Sequence, residues 1–168
     1  MNIKEIRKYQ IFSVIFTYIL GTLLHFTYDW SNQNPIVGLF SAVNESTWEH
    51  LKLIFFPMLI AIIIGYFYMK QKPENYLCAK TIGIFTAMAF TVIFFYTYTG
   101  VLGRNIDFIN IASFFIAILL GEIVSYLLMI NYFKCNKELA IIVLITFVIL
   151  FCVFSFRPPK MGLFISPI

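Results

Sequence analysis

The stretch at residues 41–70, SAVNESTWEHLKLIFFPMLIAIIIGYFYMK, places Glu45, Glu49, His50 and Lys52 just before and inside a long apolar run. Upstream, YILGTLLHFTYDW sets Tyr18, Gly21, His25 and Asp29 at spacings of three or four, which puts them on one stripe of a helix. Two imidazoles and up to three carboxylates form a donor set suited to zinc or a similar divalent metal. The set expected from spacing is His25 and Asp29 as an i, i+4 pair, with His50 contributed by a facing helix. A metal held there could activate a bound water, with Glu45 or Glu49 as general base, for hydrolysis or transfer on a lipid-like ester or amide. No H-E-x-x-H motif is present, so ligand type carries this reading more than spacing does. Without a metal, the same groups facing a water-filled cavity make a site for a small solute, an ion or a lipid head group.

A local account competes for part of this cluster. STWE has the form of a capping box, in which Ser46 accepts from the Glu49 N–H and the Glu49 side chain returns to the Ser46 N–H. Glu49 and Lys52, three residues apart, can then neutralise each other. That leaves Glu45 and His50 unexplained, because His50 falls about 100° around the helix from Glu49. Glu122 is a further ionisable residue in an apolar segment, on a face with Ser125 and beside Gly121. Its structural reading is a protonated acid hydrogen-bonded across a helix interface. About sixteen residues of helix, or about 24 Å, separate it from the outer end of its span, which keeps it away from His50. Ionisable side chains in lipid cost about 2.5–3.5 kcal/mol on insertion scales and are seldom idle. The binding candidates are therefore His25, Asp29, Glu45, Glu49, His50, Lys52 and Glu122.

The elements that position these residues follow from composition. With 61% hydrophobic and 12% charged residues, 20 Phe and 10 Tyr, the chain reads as a polytopic membrane protein. A net charge of +4 fits anchoring at lipid head groups and not nucleic-acid binding. Spanning the hydrocarbon takes about 20 apolar residues, and such runs occur at approximately 9–28, 47–69, 78–99, 107–131 and 138–157. The expected fold is all-α: a single transmembrane helical domain over residues 1–168, a bundle of about five helices. The first run is too long for a cleaved signal peptide and lacks a small-residue cleavage site, so it is expected to remain.

Lys4, Arg7, Lys8, Lys70, Lys72, Lys80, Lys134 and Lys137 flank one side of these spans, against Lys52, Arg104, Arg157 and Lys160 on the other. The bias puts the N-terminus in the cytoplasm and the C-terminus outside. The connection YDWSNQNPIVGLFSAVNES contains an apolar segment starting at Pro35 that is too short to span, hence a short re-entrant or interfacial segment between the first two spans, acting as lid or clamp. Trp30 and Trp48 are expected as interfacial anchors around it. Pro57 removes one backbone hydrogen bond below His50 and could open space there. Gly83, Ala87 and Thr91 form a small-residue ridge suited to close helix packing, within the chain or in a homo-oligomer or with a partner membrane protein. Arg104 and Asp107 are expected to pair or to cap the fourth span. Cys78, Cys135 and Cys152 follow no metal-ligand spacing and are expected as free thiols.

HFTYDW, SAVNESTWEHLKL and FRPP with the following GLF resemble an uncharacterised family of small bacterial multi-pass membrane proteins, with the VNESTWEHLK-type motif as the most specific part. The resemblance covers nearly the whole chain, implies a bacterial cytoplasmic membrane surrounded by its lipids, and carries no catalytic assignment. Three functional readings follow from the residues. The first is an extracytoplasmic-side polar pocket that binds or transports a small solute, ion or lipid head group. The second is a metal-dependent or acid-base intramembrane hydrolase or transferase. The third is a structural or assembly role in which the charges only cap and anchor.

Overall fold

The computed structural model describes residues 3 to 166. In chain order the elements are α1 (Ile3–Trp30), α2 (Pro35–Gly38), α3 (Thr47–Tyr68), α4 (Tyr76–Leu102), α5 (Asp107–Ile130), α6 (Lys137–Phe156) and a final 3-10 turn, Gly162–Phe164. All are helical, and five of them, α1 and α3 to α6, are long and apolar enough to cross a membrane. This is the architecture of a multi-pass membrane protein, and large apolar side chains such as Ile15, Phe67, Ile93 and Ile149 face outward from it. The spans match those expected from hydropathy, except that α1 begins at Ile3 rather than near residue 9.

Short connections make sequential helices antiparallel and give the bundle two ends. The histidine end gathers the C-termini of α1, α4 and α6 with the N-termini of α3 and α5. The opposite end carries a disulfide between Cys78 at the start of α4 and Cys135 before α6. The expectation of free thiols is therefore wrong for Cys78 and Cys135, and holds for Cys152. Spacing in sequence gives no hint of this bond, because 57 residues separate the two and only the antiparallel α4 and α5 hairpin brings them together.

The small-residue ridge is used inside the chain. A Cβ added at Gly83 would lie 2.6 Å from the Gly121 carbonyl, and one added at Gly121 would lie 2.5 Å from the Gly83 carbonyl, so α4 and α5 touch backbone to backbone. The ridge is thus covered by α5 and is not free to pair two chains. Helix α1 packs on α3 and α5, while α6 packs on α3 and α4.

Trp48 is buried among Phe151, Phe154 and Phe164 and is not the interfacial anchor expected, whereas Trp30 is 68% exposed. Position 48 is the second residue of α3, and its side chain turns toward α6 and the 3-10 turn. Lys80, counted above among the charges flanking the spans, is 1% exposed within α4, and Lys52 is fully buried in α3.

The connection between α1 and α3 is strapped down. Asn34 caps α2 by accepting from the Ile36 N–H, with Pro35 at the first helical position. Ser41 accepts from the Tyr28 N–H and its hydroxyl bonds the Leu24 carbonyl, tying the segment along α1. The buried Lys52 ammonium donates to the Gly38 carbonyl at 2.8 Å, and the Glu49 carboxylate accepts from the Val43 N–H at 2.9 Å. Of the two roles open to this segment, these bonds make it a clamp.

Candidate functional site

The end of that clamp sets the site. Asn44 accepts from the Ser46 N–H and Ser46 accepts from the Glu49 N–H at 3.4 Å, so Ser46 is the N-cap of α3 as the sequence implied. The reciprocal half of the capping box does not form, because Asn44 occupies the Ser46 N–H and the Glu49 carboxylate is drawn to Val43. Glu49 and Lys52 do pair, at 2.5 Å, and Ser155 of α6 joins them. Both are buried and enclosed by protein, bonded to the clamp and to α6.

One residue further, His50 points the other way, toward α1. Its Nδ1 lies 2.9 Å from the Ser46 carbonyl, its ring centroid is 5.3 Å from that of His25, and Glu45 sits between the two rings. The Glu45 carboxylate is 3.5 Å from His50 Nε2 and 3.9 Å from His25 Nε2. One ligand-capable atom from each of His25, Glu45 and His50 lies within 4.8 Å of the others. Asp29 is not in this group: it stands one helical turn nearer the end of α1, exposed, and Glu45 fills the position that spacing had suggested for it.

These three residues rim a cavity of about 360 Å³ between α1, α3 and α5. Its polar wall adds Thr22, Asp107 and Asn110, and its deeper wall is made by Tyr18, Leu53, Ile111 and Phe114. Asp107 is a contribution the sequence reading missed. It was expected to pair with Arg104 or to cap a helix; among the described residues no ion pair joins those two, the N-cap of α5 is Ile106, and Asp107 opens onto the cavity. The available signal was its place in the first turn of a span whose N-terminus lies at the histidine end.

The floor of the cavity is a close contact. A Cβ at Gly21 would lie 2.4 Å from the Leu53 carbonyl and 2.7 Å from Phe114 Cζ. Pro57 has no N–H to offer that Leu53 carbonyl, and only a glycine lets α1 lie against it. Pro57 itself does not line the cavity, and α3 runs unbroken past it.

Glu122 lies elsewhere. It is 2% exposed in α5 and pairs with Lys80 at 2.5 Å, while Ser13 donates to its other oxygen at 2.6 Å. Lys80 also donates to the Gln10 side-chain oxygen at 2.7 Å, and the Gln10 amide nitrogen donates to the Glu122 carbonyl. An ion pair replaces the protonated acid expected from sequence, which was missed because Lys80, at the start of its span, had been counted with the charges flanking the second connection.

The open cluster can bind a cation, hold a metal through two imidazoles and a carboxylate, or exchange protons with a ligand in the cavity. A family model described as a family of unknown function (DUF6512) matches residues 1–168, and the chain belongs to that family. No curated protein and no solved structure matches it.

Proposed function

We propose that this member of a family without an assigned activity binds a positively charged ligand, a small solute, ion or lipid head group, in the cavity at its histidine end. One observation carries this: among the described residues the cavity wall holds two carboxylates, Glu45 and Asp107, and two imidazoles, and no lysine or arginine. Carboxylates beside low-dielectric walls raise the local concentration of cations. The apolar lower wall, with Phe114 and Tyr18, suits an alkyl chain or an ammonium held against aromatic faces. The Gly21 and Leu53 contact closes the floor, which favours binding over an open channel.

Lys52 and Lys80 are buried within their helices, and the remaining cations divide as Lys4, Arg7, Lys8, Lys70, Lys72, Lys134 and Lys137 at the disulfide end against Arg104, Arg157 and Lys160 at the histidine end. Disulfides persist in oxidising compartments, so the Cys78–Cys135 bond weighs against a cytoplasmic disulfide end. The lysine and arginine bias, which insertion itself reads, weighs for it, and we adopt it: the cavity opens on the extracytoplasmic side of a bacterial cytoplasmic membrane.

The test is equilibrium binding of dodecyltrimethylammonium to the full chain in nanodiscs, with dodecyl sulfate as the anionic control. The ammonium is expected to bind and the sulfate not. Asp107→Asn is expected to weaken the ammonium by about fivefold, the upper range for a solvent-exposed charge pair. Equal binding of both amphiphiles, or binding unaffected by Asp107→Asn together with Glu45→Gln, would refute the reading.

A further inference from the structure

The three-residue rim has a feature that a general cation pocket does not need. The His50 Nδ1 faces the Ser46 carbonyl, which only accepts, so Nδ1 donates to it and Nε2 is the ring nitrogen left to meet a ligand. Nε2 lies 3.5 Å from one Glu45 oxygen, and the other Glu45 oxygen lies 3.9 Å from His25 Nε2. Both separations are longer than a good hydrogen bond. Three potential ligand atoms thus converge on one point, and among the described residues no lysine or arginine lines the cavity there.

We infer that His25 Nε2, Glu45 and His50 Nε2 bind a divalent transition-metal ion of the zinc class. This inference rests on the cation-binding reading above and names the cation that the rim selects. Two imidazoles with one carboxylate favour zinc-like ions over calcium or magnesium, which take oxygen ligands. The Ser46 carbonyl on His50 Nδ1 is the outer-shell partner that fixes the tautomer and ring orientation of a metal-binding histidine. The ligand atoms, within 4.8 Å of one another, need to draw in to the roughly 3.4 Å edge of a tetrahedron with bonds of about 2.0–2.1 Å. Glu45 can supply that movement, since its side chain is 67% exposed at the end of the clamp. Three protein ligands leave a fourth position, and it opens onto the cavity, where a water or a lone-pair group of the bound molecule completes the shell.

The experiment is calorimetric titration of the chelator-stripped full chain in nanodiscs with zinc, with magnesium as control, followed by zinc competition against dodecyltrimethylammonium. One zinc per chain, no magnesium, and displacement of the ammonium are expected. His25→Ala and His50→Ala should each lower zinc affinity by at least about tenfold, the lower bound for losing even an outer-shell partner, whereas Asp29→Asn should leave it unchanged. Thermal melting of each variant confirms that it is folded, and Glu45→Gln, which keeps the side chain's size, repeats the test with least disturbance. Ammonium binding without zinc binding overturns the metal and leaves the cation pocket standing. Binding of neither overturns both. Zinc binding that survives all three ligand substitutions overturns the assignment, by placing the ion elsewhere, for example at Cys152.

Discussion

The bundle holds two clusters of ionisable side chains toward opposite ends, and they are built on opposite terms. Around Lys80 and Glu122, donors and acceptors are matched: an ion pair at 2.5 Å, Ser13 at 2.6 Å and Gln10 at 2.7 Å, all buried. Around His25, Glu45 and His50 the separations are 3.5 and 3.9 Å, longer than a good hydrogen bond, and the side chains are partly exposed. The same residue classes thus serve two purposes inside one membrane protein. What separates them is the hydrogen-bond balance, which residue type alone does not reveal. The Glu49 and Lys52 pair, one residue from His50, belongs with the closed cluster by the same criterion.

The strongest way to break this comparison is to remove one partner from each cluster. Glu122→Gln or Lys80→Met leaves a buried group without its counter-charge and should cost about 3–5 kcal/mol, read as a large fall in melting temperature in detergent. The double variant Lys80→Met, Glu122→Leu should recover most of that loss, because the penalty lies in the unpaired charge. In the open cluster, His25→Ala or Glu45→Gln should change stability by less than about 1 kcal/mol, as for exposed pairs, while lowering zinc affinity by at least about tenfold. Similar stability losses at both ends would show that the open cluster is structural after all.

A smaller effect is expected at the cavity floor. Gly21→Ala places a methyl 2.4 Å from the Leu53 carbonyl, and since backbone cannot swing aside, α1 and α3 must separate. The cost should be about 1–3 kcal/mol, within the range for overpacking. Ligand affinity should change with it, because the displaced helices carry His25 and His50. A Gly21→Ala variant that melts like the parent would mean that the two helices are not held at this point.

The sequence shows the spans, the Ser46 cap and the angular separation of His50 from Glu49, because hydropathy, capping chemistry and the 100° step are local properties. It also places His25 and His50 at one end, since that follows from the order of two antiparallel spans. Lys80 with Glu122, Asp107 in the cavity wall, Trp48 in the core and Cys78 with Cys135 are different in kind. Each depends on which helix is next to which, and a single sequence with apolar residues on every helix face does not encode that visibly. Glu45 in place of Asp29 depends on the path of a clamp fixed by Ser41, Lys52 and Glu49, three contacts that no spacing rule predicts.

Between the two clusters, α1 carries Gln10, Ser13, Thr17, Gly21 and His25 at spacings of three or four, all on one face. Ser13 donates to Glu122, whereas the Thr17 hydroxyl is fully buried and has no hydrogen-bond partner among the described residues. If the clusters are independent, these two hydroxyls must answer differently to removal. Ser13→Ala should cost about 1.5–3 kcal/mol, the range for a hydrogen bond to a charged group, and Thr17→Val, which keeps the shape, should be neutral or slightly stabilising. Neither should alter zinc or ammonium binding at the histidine end. A Thr17→Val variant with unchanged melting temperature but weakened binding would show that the buried hydroxyl serves the open cluster, and that the stripe along α1 connects the two ends of the bundle.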